Sequence, residues 1–113
     1  MTIYLKVHYC IRDGECDYGH NEYVKAIDGD LLSRDELQAQ LLTELANMCF
    51  GENDEDDVWW EKEEDNYVME SSGCRALKLS SYDKIPKEDF EVLDKYEGST
   101  TITCIAKAKV TFT

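Results

Sequence analysis

A chain of 113 residues that is 42% hydrophobic and 11% aromatic is long enough for one self-sufficient core, and too apolar for a disordered acidic tail. Its net charge of −13 repels nucleic acid and anionic membranes and steers basic proteins toward it. No stretch approaches the ~18 apolar residues of a membrane span and no leader pattern opens the chain, so we expect one cytoplasmic domain over residues 1–113, with no membrane or direct nucleic-acid contact.

Residues 2 to 11 alternate, with Ile3, Leu5, Val7, Tyr9 and Ile11 on one side and Thr2, Tyr4, Lys6, His8 and Cys10 on the other. That period of two predicts a first strand with one buried face. Residues 12 to 21 collect Gly14, Gly19, Asp13, Asp17 and Asn21, and predict a loop. Residues 22 to 28 then close a hairpin as a shorter second strand.

The next segment carries the sharpest local signal. Ser33 can accept the backbone N–H of Glu36 while the Glu36 side chain reaches back, with Leu32 and Leu37 at the staple positions. A helix from about Arg34 to Phe50 follows, with Leu37, Leu41, Leu45, Met48 and Cys49 on one stripe and Gly51 as its cap. A strand-like segment begins at Val58-Trp59-Trp60 and continues or restarts through Tyr67-Val68-Met69. Ser71-Ser72-Gly73 reads as a turn, and Arg75 to Leu79 as a further strand. Pro86 suits a first helical turn, Phe90, Leu93 and Tyr96 make a short apolar stripe, and Gly98 ends it. Alternation from Ile102 to Phe112 predicts a long last strand, with Lys107 and Lys109 on its exposed side.

The predicted fold is therefore α+β, a mostly antiparallel sheet of four to five strands with one long and one short helix packed on one face. Without the second strand the order is β-α-β-β-α-β, which resembles the split arrangement of ferredoxin-like domains.

Five cysteines are an odd number without a secretory leader, which favours free thiols over a disulfide framework. Cys49 and Cys104 fall on apolar faces and read as small core residues. His8, Cys10, Cys16 and His20 lie within thirteen residues and offer the soft N and S ligands that zinc prefers, although neither arm has the two-residue gap of a tight ligand turn. A zinc-stabilised domain is thus the alternative reading. Calcium fits less well, because the sixth and twelfth positions from Asp13 hold Tyr18 and Val24, and those from Asp54 hold Trp59 and Asp65. A phosphate-cradling glycine loop, a nucleophile elbow and a basic patch interleaved with aromatics are all missing, so we expect a non-enzymatic protein without a cofactor.

Charge is concentrated between residues 52 and 65. Glu52, Asp54, Glu55, Asp56, Asp57, Glu61, Glu63, Glu64 and Asp65 stand against Lys62 alone, a net −8 of the chain's −13, around Trp59 and Trp60. Fully extended at ~3.3 Å per residue the run spans roughly 46 Å, one net charge per ~6 Å. Duplex DNA carries one per ~1.7 Å. The run alone is too dilute to imitate a duplex, and would do so only if the fold gathers Glu70, Asp13, Glu15, Asp17 and Glu88, Asp89, Glu91 and Asp94 beside it. Two adjacent tryptophans on a strand face opposite sides, so one is core and the other is available as an anchor within a steering rim of carboxylates.

In size and composition, though in no motif, the chain resembles phage- or plasmid-borne inhibitors that occupy the nucleic-acid channels of defence complexes, the anti-CRISPR type. It also resembles immunity proteins that plug basic nuclease toxins. That resemblance implies a DNA-mimicking inhibitor of a basic, nucleic-acid-binding partner protein, with the acidic run and one tryptophan as its docking face. No functional residue transfers through it.

Overall fold

The computed structural model describes residues 1–104, and the expected strand beyond Cys104, including Lys107 and Lys109, lies outside the described residues. Its elements are β1 (Ile3–Asp13), β2 (Cys16–Ile27), a short 3-10 turn (Gly29–Leu31), α1 (Arg34–Phe50), β3 (Trp60–Glu64), β4 (Tyr67–Glu70), β5 (Arg75–Lys84), α2 (Lys87–Glu97) and β6 (Thr100–Thr103). The strands form one six-stranded sheet in the order β3-β4-β5-β1-β2-β6. Pairing is antiparallel throughout except between β2 and β6, which run parallel. The α+β class holds, with a mixed sheet in place of the four to five mostly antiparallel strands expected. Among the described residues no helix is long and apolar enough to cross a membrane.

The extra strand comes from the segment after the acidic run. It folds back at residues 65 and 66, so that Trp60 pairs with Glu70 and Lys62 with Val68, and one expected strand becomes the β3–β4 hairpin. The first hairpin is longer than expected. Asp13 pairs with Cys16 across a two-residue turn, and the predicted loop from 12 to 21 is strand for most of its length. Gly14 sits at φ +63, the left-handed backbone that two-residue hairpin turns require. Residues 16 to 21 are exposed, which is why their polar sequence hides a strand that pairing alone maintains.

The capping box forms as expected: Glu36 N–H donates to Ser33 Oγ at 3.2 Å and Ser33 N–H to Glu36 Oε1 at 3.1 Å. The helix buries Leu37, Leu41, Leu42, Leu45, Ala46 and Phe50. They pack on Leu5, Val7, Tyr9, Val24, Ala26, Val68, Leu77, Leu79 and Ile102, which the pleat presents on one face of the sheet. Met48, expected on that stripe, is largely exposed, while Cys49 is half-buried and Cys104 buried. All five cysteines are free.

The two helices do not share a face, contrary to expectation. Tyr4 alternates with Ile3 and Leu5 and so points away from α1, and its ring lies 4.8 Å from that of Phe90, the buried residue of α2. Topology supplies the reason. The chain crosses from β2 to β3 through α1 in one direction along the sheet, and from β5 to β6 through α2 in the other, each time joining parallel strands. Such crossovers are almost always right-handed, and two of one hand travelling opposite ways put their helices on opposite faces. The ferredoxin-like comparison falls with the one-faced arrangement. Because α2 is short, the upper half of its face stays open as a groove of about 500 Å³.

Candidate docking surface

The acidic run leaves α1 at Gly51, whose φ of +106 turns the chain out of the helix. The next seven residues, 52 to 58, are all exposed, and their shape is set by polar side chains rather than by burial. Asp54 accepts the backbone N–H groups of Asp56 at 2.8 Å and Asp57 at 2.6 Å, while its own N–H donates to the Asp57 carbonyl at 2.8 Å. Asn53 reaches across the loop. Its Oδ1 accepts from Trp59 N–H at 2.7 Å and Trp60 N–H at 3.2 Å, and its Nδ2 donates to the Trp60 carbonyl at 2.8 Å. From the other side Ser71 N–H donates to the Trp59 carbonyl at 2.9 Å, and its hydroxyl to the Val58 carbonyl. Both peptide groups of Trp59 are therefore tied down.

The two tryptophans divide, although β3 begins at Trp60 rather than at Val58, so Trp59 lies in the loop just before the strand. Trp60 lies on the α1 side, partly buried against the core, with its indole N–H donating to the Gly51 carbonyl at 3.0 Å and to Asn47 Oδ1 at 3.2 Å. Trp59 is 48% exposed next to Val58 at 51%. Its ring rests on the helix cap, where a Cβ added at Gly51 would stand 3.1 Å from Trp59 Cδ1, a tight contact in addition to the positive φ that favours glycine there. Trp59 is the indole available as an anchor, and Trp60 is structural.

Beyond them β3 is the outer strand of the sheet, and Glu61, Glu63 and Glu64 are exposed on it. Lys62 lies 3.9 Å from Asp65, an exposed pair in high dielectric that relieves little of the charge.

The fold gathers some of the other carboxylates and leaves others away. Gly14 N–H donates to the Cys74 carbonyl at 3.1 Å, which joins the tip of the first hairpin to the β4–β5 turn, and Ser71 of that turn holds the acidic loop. Asp13 and Glu15 thus share one end of the sheet with Glu52, Asp54, Glu55, Asp56 and Asp57. They are not close neighbours: β1 stands three positions from β3, ~14 Å at ~4.8 Å per strand. That exceeds a Debye length of ~8 Å at physiological salt, so these carboxylates widen the acidic surface without raising its local density.

Three further groups contribute less. Asp17 pairs with Arg12 at 3.0 Å, and this hydrogen bond holds its carboxyl below the usual aspartate range. Glu70 accepts from the Ser72 hydroxyl and from the Arg75 guanidinium, which together lower its pKa, the serine contributing most. Arg75 also lies over the Phe50 ring at 5.2 Å, so this arginine is engaged with Glu70 and the helix terminus, as Arg12 is with Asp17. Glu88, Asp89, Glu91 and Asp94 lie on α2, which packs on the other face, and do not join the run.

The four residues of the zinc alternative are separated. His8 and Cys10 lie on the α2 face, where His8 Nδ1 is 2.8 Å from Asn21 Oδ1 and Cys10 Sγ is 3.7 Å from Ser80 Oγ. His20 pairs with Tyr9 on the α1 face and stacks on it at 5.3 Å, and Cys16 is exposed at the hairpin tip. Among the described residues no group of three or more His, Cys, Asp or Glu side chains converges in a way that could hold a metal ion.

Asn53 is the residue of the candidate surface that sequence reasoning missed. It stood inside a block of charge as an uncharged gap, and the one available signal was its place just after the helix-capping glycine, where an Asx side chain commonly organises a loop. No protein-family model, curated protein or solved structure matches the chain.

Proposed function

We propose that the protein is a small non-enzymatic inhibitor that docks on a basic, nucleic-acid-binding partner protein through the acidic run and Trp59, as phage-borne anti-defence proteins and nuclease-toxin immunity proteins do. The observation that carries this reading is a half-exposed indole, on a main chain hydrogen-bonded at both neighbouring peptide groups, at the end of seven exposed residues that include five carboxylates. A main chain ordered in advance loses less freedom on binding, and a rim of like charge speeds encounter with a basic surface. Solubility alone does not call for a net −8 in fourteen residues, whose self-repulsion is unfavourable to the folded state.

The test uses Glu55→Lys, Asp56→Lys, Glu63→Lys and Glu64→Lys together, leaving Asp54 because its carboxylate shapes the turn. Immobilised wild-type protein is expected to retain basic nucleic-acid-binding proteins from lysate of the source cells, with retention falling steeply as salt rises. The quadruple variant, folded by circular dichroism, is expected to lose at least ten-fold in affinity. Unchanged binding by that variant overturns the docking function.

A further inference from the structure

We draw no further inference here: the strongest candidate, the open groove of about 500 Å³ on the α2 face of the sheet, is lined by Arg12 and Lys78 but equally by Asp17 and Glu64, so its charges cancel and nothing in the structure shows what covers it.

Discussion

Two neighbouring regions meet at Gly51 and are held together by different physics. On the helix side, α1 packs Leu41, Leu42 and Leu45 against Leu5, Val7 and Leu77, all essentially without solvent exposure, and apolar burial supplies the stability. On the loop side nothing from residue 52 to 58 is buried, and order comes from Asn53, Asp54 and Ser71 donating to or accepting from the main chain. The helix side is robust because many weak contacts share the load. The loop side depends on a few hydrogen bonds, each replaceable by water at modest cost. Charged side chains cannot be ordered by burying them, so polar ties are the available means.

The largest effect is expected on the helix side. Leu41→Ala removes a side chain that is 1% exposed and leaves a cavity beneath the helix, at a cost of about 3 kcal/mol. Thermal unfolding should show Tm lower by more than ~10 °C, while Trp59 fluorescence in the folded protein stays unchanged. A shift in that fluorescence would break the comparison, since it would make the loop a passenger of the core. Asn53→Ala is the reciprocal test. It deletes three hydrogen bonds to the peptides of Trp59 and Trp60 and should cost about 2 kcal/mol. Hydrogen exchange should accelerate at residues 53 to 60 and the Trp59 emission should move to the red, with α1 still protected. Loss of protection along α1 as well would show the two regions to be one cooperative unit.

The same division explains what could be read from the chain. The capping box at Ser33 and Glu36, the bounds of α1, the first strand and the cap at Gly51 were legible because each is a local rule with little competition. The opposite-faced helices were not legible, because that follows from β3 and β6 lying at opposite edges of the sheet, a long-range fact no local period encodes. The strand from Cys16 to Asn21 was hidden by its exposure, which removes the apolar alternation that marks strands. At the candidate surface the charge was plain, and the tryptophan pair splits although Trp59 precedes the strand; which indole faces out was set by Asn47, Gly51 and Asn53, whose side chains and backbone bond across several residues.

A smaller effect belongs to the start of α1. Ser33→Ala deletes one half of the capping box and should cost about 1 kcal/mol. Its Tm should fall by a third or so of the Leu41→Ala decrement, with the exchange of residues 53 to 60 unaltered, because the lesion is at the far end of the helix from Gly51. An equal loss of order in the loop would indicate that α1 transmits strain along its length, and would again merge the two regions.

The smallest effect lies where the two regions touch, at Glu70 and Arg75. The Glu70 carboxyl is held below the ordinary glutamate range, first by the Ser72 hydroxyl and then by Arg75, whose guanidinium also covers Phe50 at the end of α1. A pKa depressed in the folded state means that the unfolded chain binds the proton more readily, so the contribution is fully present above the unfolded glutamate value of ~4.3 and is lost as pH falls through the lower folded value. Glu70→Gln should therefore lower Tm slightly at pH 7, and the gap between the variant and wild type should close between about pH 5 and pH 3. Thermal melts across that range decide it. A gap that persists at pH 3 would mean that glutamine fails for reasons of shape rather than charge, and the ionic tie between the turn that carries Ser71 and the helix terminus would then contribute nothing to holding Trp59 in place.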